Sequence, residues 1–168
     1  LEDTLSPYDN IEIINQDVLK LDLNEVIKEK CEDKPVKVVA NLPYYITTPI
    51  VAALLEKRYK IKSITVMIQK EVADRFLADN KSKEYGAISL LINYYANTKL
   101  NMIVRANCFT PRPKVDSAVI TLNLYDELPL KADDEKLFFE IIKLAFGQRR
   151  KTLLNCIFQK YNCYFSKQ

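Results

Sequence analysis

Asn41-Leu42-Pro43-Tyr44-Tyr45 lies where the apolar run "VKVVA" gives way to "ITTPIVAALLEK". A strand-to-helix turn needs only a residue that leaves the strand and a cap for the helix, and Thr47-Thr48-Pro49 supplies capping hydroxyls and a first-turn proline. The five residues before it are surplus to the turn. At the carboxyl end of a strand in an open α/β sheet, Asn41 would face the ligand crevice. Its side-chain oxygen and the Leu42 carbonyl form a pair of hydrogen-bond acceptors, while Pro43 stiffens the turn and donates nothing. Two acceptors suit an exocyclic amine on a nucleobase, whose lone pair is delocalised into the ring until the nitrogen becomes pyramidal. Tyr44 offers the base a face. Base–aromatic stacking contributes roughly 1–3 kcal/mol, comparable with the cost of extruding a base.

The rest of the composition narrows the chemistry. The 168 residues contain no His, which removes His-based triads, His general bases and His metal ligands. Only two glycines occur, Gly86 and Gly147, so no phosphate-cradling or dinucleotide loop is present. The four cysteines (Cys31, Cys108, Cys156 and Cys163) lack C-x-x-C spacing, and the expectation is reduced thiols, no metal and a cytoplasmic location. No run approaches the roughly 20 apolar residues of a membrane span, and no membrane partner is expected. Residues 1–97 hold 13 Lys+Arg against 15 Asp+Glu, whereas residues 98–168 hold 12 against 7. The basic part is compatible with a polyanion partner and equally with a solvated surface.

These residues need elements to position them. "NIEIINQDVL" reads as a strand at 11–14 and a turn, and "PVKVVA" as a buried strand at 35–40. A helix at about 48–58 comes next, then a β-rich run at 61–69 and two helical segments, "KEVADRFLADN", closed by Asn80, and "GAISLLINYYAN". "KLNMIVRANCF" and "SAVITLNLY" predict an antiparallel pair at one edge of the sheet, joined by the stiff loop "TPRPKVD". The pattern outlines the later half of an open α/β sheet. "DELPLKADD" is polar and Pro-bearing, and the remaining C-terminal residues are helical in pattern apart from a break near Gly147. The expected division is residues 1–125 and 126–168, with the boundary at about 126–132.

Three segments in this order, "NLPYYITTPI", "FTPRPKVDSAVI" and "FGQRRKTLLN", resemble the bacterial small-subunit ribosomal RNA adenine dimethyltransferases. The resemblance implies part of a Rossmann-like, S-adenosylmethionine-dependent methyltransferase sheet followed by a small helical domain. It also implies methylation of two adjacent adenines near the 3′ end of the small-subunit RNA, in the immature 30S particle, by a monomeric parent protein. By match, Asp17 resembles the acidic residue that accepts from the cofactor's adenine amine, and Asn41 the residue serving both cofactor and target amine. Tyr44 and Phe109 resemble the two aromatics that sandwich the target base. Arg149, Arg150 and Lys151 resemble an RNA-facing basic segment, with Arg112 and Lys114 as further phosphate contacts. Each has a plainer reading alongside: Asp17 as a turn cap, Tyr44, Tyr45 and Phe109 as core aromatics, the basic triplet as a helix-start charge cluster.

The family's Gly-rich loop after the first strand and the acidic residue ending the second have no counterpart here. "LEDTLSPYDNIEI" resembles the helix leading into the third strand, so roughly two strands are expected to be missing and the helical domain to be incomplete. Such a fragment, alone, is expected to be inactive, to bind cofactor weakly or not at all, and to self-associate through an open edge near Val36–Ala40. Two rivals share features with this reading. One is the macrolide-resistance methyltransferase of large-subunit RNA, against which "FGQRRKTLLN" argues; the other is a non-catalytic RNA-binding ribosome-assembly module.

Overall fold

The computed structural model describes residues 2–148 and 151–165. In chain order these form α1 (Glu2–Leu5), α2 (Leu23–Lys30), β1 (Val36–Asn41), α3 (Thr47–Glu56), β2 (Ile61–Gln69), α4 (Lys70–Leu77), α5 (Ala87–Tyr95), β3 (Ala96–Val104), β4 (Ser117–Leu124), α6 (Glu135–Gly147) and α7 (Leu153–Phe165). The strands make one sheet in the order β1-β2-β4-β3. β1 and β2 are parallel, with Asn41 opposite Met67, and α3 makes the crossover that parallel strands require. β4 runs antiparallel to both its neighbours. The expected edge hairpin of β3 and β4 is therefore present, and β1 is the other edge.

Alternation along the β-branched runs sorts the sheet into two faces. Ile64, Val66 and Ile68 of β2 pair in register with Leu122, Ile120 and Ala118 of β4, and all six are essentially solvent-free. They share one buried cluster with Val51, Leu54 and Leu55 of α3, Phe76 of α4 and Ile92 of α5. The opposite face carries Thr65 and Thr121, whose hydroxyls bond each other at 2.9 Å, and Val39, which is 79% exposed. α5 is fastened to α4 by Ser89, whose buried hydroxyl donates to the Arg75 carbonyl (2.6 Å) and accepts from the Gly86 N–H (3.0 Å).

Several local expectations are corrected. The strand at 11–14 does not form: residues 11–15 have no regular structure, and Ile11, Ile13 and Ile14 are exposed. Apolar alternation is a local signal, but a strand exists only with a ladder partner, and β1 is paired on its β2 side alone among the described residues. The helix after NLPYY is capped differently too. Ile46 is the cap residue and makes no side-chain capping bond, whereas Thr47 lies inside α3. α4 ends at Leu77, ahead of Asn80, because Ala78 is already extended.

Residues 125–134 contain neither helix nor strand. α6 nevertheless joins the sheet's core through Phe139 and Ile142. Tyr94 and Tyr95 of α5 meet Phe139 at 5.2 and 5.6 Å between ring centres. Glu135, at the start of α6, pairs with Arg58 and accepts from the Tyr94 hydroxyl at 3.0 Å.

Candidate active site

β1 ends on Asn41, so its amide stands at the carboxyl edge of the sheet. The Leu42 N–H donates to the Met67 carbonyl at 3.4 Å, carrying the ladder one residue past the strand. Pro43 has no N–H and stops it. The Pro43 carbonyl then takes two bonds, from the Ile46 N–H (3.2 Å) and the Thr47 hydroxyl (3.1 Å), which fold the chain into α3. With Pro43 so engaged, and Leu42 anchored by a buried side chain, the turn is held on both sides. Among the described hydrogen bonds none ends on the Leu42 carbonyl or the Asn41 amide, so both acceptors remain available.

A cavity of about 260 Å³ opens beside them. Asn41–Tyr44 line it from the β1 end, Met67 from β2, and Phe109, Pro111 and Pro113 from the connection between β3 and β4. It lies just below the roughly 300–1,000 Å³ of drug-sized ligand pockets, a size suited to a single planar base. Five residues expected from the sequence (Asn41, Leu42, Pro43, Tyr44 and Phe109) thus meet in one place although two chain segments 65 residues apart supply them.

Two further residues hold the walls, and sequence reasoning missed both. The Tyr44 hydroxyl lies 3.0 Å from the hydroxyl of Ser117, which is 1% exposed at the start of β4. Tyr44 itself is part-exposed, so its ring is fixed at one end and open on a face. The neighbouring Asp116 accepts from the Ala106 N–H through its carboxylate (2.8 Å) and from the Lys70 N–H through its carbonyl (3.0 Å). Asp116 thereby ties the start of the Phe109 loop to its end. Val115-Asp116-Ser117 closes the proline loop in the sequence, but nothing in its spacing reveals partners 73 and 10 residues away.

The remaining candidates sit elsewhere. Asp17 is exposed and caps a turn: its carboxylate accepts from the Leu19 N–H (3.0 Å) and its carbonyl from the N–H groups of Lys20 and Leu21. It does not line the base cavity, and the single described bond on its carboxylate leaves the second carboxylate oxygen as a further acceptor. Arg112 and Lys114 are exposed on the β3–β4 connection. Lys151 donates to the Gln159 side chain at 2.8 Å, and Arg149 and Arg150 lie outside the described residues. Among the described residues no cluster of three His, Cys, Asp or Glu could hold a metal ion, and no helix is long and apolar enough to cross a membrane.

A parallel β1–β2 pair continued by an antiparallel β4–β3 pair, with an amide and two aromatics at the strand ends, defines the later part of a Rossmann-like methyltransferase fold. Structural neighbours agree. A dimethyladenosine transferase from Plasmodium falciparum superposes with a TM-score of 0.74 at 25% identity, covering 98% of this chain and 60% of that one. The 23S rRNA methyltransferase ErmE gives 0.70 at 25% identity over 95% of this chain and 61% of that one.

The chain belongs to the ribosomal RNA adenine dimethylase family, whose pattern matches residues 1–166. It is 56% identical over 154 residues to the ribosomal RNA small subunit methyltransferase A of Lachnoclostridium phytofermentans, covering 92% of this chain and 53% of that protein. The protein of the same name from Bacillus pumilus is 53% identical over 156 residues, again with 92% and 53% covered. The chain spans about half the length of the curated relatives it matches.

Family members take their methyl group from S-adenosylmethionine. The residues here fit the reacting end of that cofactor, because an unengaged amide stands at the strand terminus beside a base-sized cavity. They offer no glycine cradle for its amino-acid and ribose parts. Gly86 caps α5 and Gly147 ends α6, and neither lines the cavity.

Proposed function

We propose that the protein containing this chain dimethylates N6 of two adjacent adenines near the 3′ end of small-subunit ribosomal RNA. It acts as a cytoplasmic monomer on the immature 30S subunit during its maturation. The observation that carries the reading is the meeting of two free acceptors, on Asn41 and Leu42, with the Tyr44 and Phe109 rings at one cavity. The names of the relatives supply the substrate, since both specify the small subunit. The likeness to ErmE supports the fold and leaves the RNA undetermined.

Tyr44 and Phe109 hold the extruded adenine by its two faces. The Asn41 side-chain oxygen and the Leu42 carbonyl accept the two N6 hydrogens, which draws the nitrogen towards a pyramidal geometry and frees its lone pair. S-adenosylmethionine, when bound, supplies an electrophilic methyl on a sulfonium. Once the methyl has moved, the cationic N6 is acidic enough to lose its proton directly to water at the exposed Asn41 side, the two oxygens acting only as hydrogen-bond acceptors. Once one methyl is in place a single N–H remains, so one acceptor suffices for the second transfer. Neither general base nor metal is required.

Methyl incorporation into undermethylated 30S subunits by the full-length protein tests this. Asn41→Ala is expected to lower turnover at least about a hundredfold, the scale of losing an oriented transition-state hydrogen bond, while a chelator leaves the wild type unchanged. Wild-type turnover in Asn41→Ala, or loss of activity with the chelator, would refute it. A non-catalytic module would bind the RNA and incorporate no methyl. The division into residues 1–125 and 126–168 belongs to the same proposal, with Arg112, Lys114, Arg149, Arg150 and Lys151 on the RNA side. Neutralising Arg149, Arg150 and Lys151 together should weaken RNA binding and flatten its dependence on log salt; an unchanged slope returns them to the solvated surface.

A further inference from the structure

The β3–β4 connection has two sides. Phe109, Pro111 and Pro113, at alternate positions, line the base cavity, whereas Arg112, between the two prolines, lines a second cleft of about 640 Å³. Arg105, immediately after β3, lines the same cleft with Ile103 and Asn107. Both arginines are exposed, and neither takes part in any of the described ion pairs, which use Lys30, Lys34, Arg58, Lys60, Lys70, Arg75, Lys143 and Lys160. The single carboxylate in the cleft, Asp116, already accepts from the Ala106 N–H. Two planar guanidiniums thus share a cleft with one carboxylate, so positive charge exceeds negative there. Such forks match the paired oxygens of a phosphate, and an anion between them offsets their mutual repulsion.

We propose that this cleft binds a phosphodiester of the RNA strand next to the adenine held in the base cavity. The assignment rests on the function proposed above and adds a site to it. Its strength is continuity: Phe109, Pro111 and Pro113 line the base cavity and Arg112, between those prolines, lines the cleft, so one short stretch of chain serves both the base and a neighbouring phosphate. Arg105 and Arg112 are positioning residues that fix the strand so that the target amine meets Asn41.

The test uses the full-length protein and an RNA hairpin carrying the two adenines, bearing a neutral methylphosphonate at one linkage at a time. Wild-type binding is expected to fall about tenfold at one linkage flanking the target and little elsewhere. In Arg105→Gln/Arg112→Gln the natural RNA binds about tenfold or more weakly, that linkage loses its penalty, and the log–log salt slope shrinks by about 0.7, the share of one single-strand phosphate. KM rises and turnover at saturating RNA falls with it, because the target amine is no longer held against Asn41. Arg105→Lys/Arg112→Lys restores the salt slope, which a merely structural role would not do. A wild type indifferent to methylphosphonate at every flanking linkage overturns the proposal even if the double variant fails to fold, and so does an equal loss at all linkages. Failure here with an inactive Asn41→Ala removes the cleft alone, whereas an active Asn41→Ala removes the underlying function.

Discussion

Tyr44 presents a ring to a cavity and anchors its hydroxyl on a buried serine, and those two jobs separate by substitution. Stacking needs only the ring, so Tyr44→Ala should cost most of the stacking term, while Tyr44→Phe should retain much of the activity. The Tyr44–Ser117 bond, part-buried at 3.0 Å, is a neutral pair of the kind that contributes about 0.5–1.5 kcal/mol net. Tyr44→Phe and Ser117→Ala are therefore each expected to lower kcat/KM by only about two- to threefold, the low end of that energy. The double variant should be no worse than either single one, because both remove the same contact. Single-turnover methylation by the full-length protein measures this. Fully additive losses would mean that Ser117 acts on something other than Tyr44.

α6 is docked on the sheet domain by a compact polar and aromatic cluster at its first turn. Arg58 bridges Glu135 and also lies over the Tyr95 ring, 5.7 Å from its centre. Tyr95 is 6% exposed, and burial pushes its phenol up to about 12, with the Glu135 carboxylate adding to the effect. The neutral phenol is thus favoured in the folded state. Its stabilising contribution is complete below the ordinary tyrosine value near 10 and is lost as pH rises from there through about 12. Urea unfolding between about pH 9 and 11 should show stability falling, with a shallower fall in Tyr95→Phe. An identical pH dependence in that variant would place the loss on other groups.

At the scale of the whole molecule, the sheet has one packed face and one open one. β1 leaves its outer edge unpaired among the described residues, and Val39 stands on it almost fully exposed. Unpaired strand edges recruit other chains. The 168-residue chain alone is expected to self-associate in light scattering and, lacking a glycine cradle, to bind S-adenosylmethionine weakly or not at all in calorimetry. Val39→Lys should shift the chain towards monomer by placing a charge on the edge strand. A monodisperse wild-type monomer that binds the cofactor tightly would contradict both expectations.

Local pattern reached far in this chain. The alternation in "IKSITVMIQ" and "SAVITLNL" set two central strands, and Asn-Leu-Pro-Tyr marked the strand end, because side-chain periodicity and a missing proline N–H act over neighbouring residues. The stiff proline loop after Phe109 likewise announced itself. What local signals could not supply was partnership across distance. The alternating isoleucines at 11–14 looked like a strand and lacked a ladder to join. Ser117 found Tyr44, Arg105 found Arg112, and Phe139 entered the sheet's core only once the chain had folded. By itself the order of residues determines which groups are available and how each short element presents them; packing of elements remote in the chain selects which of those groups meet.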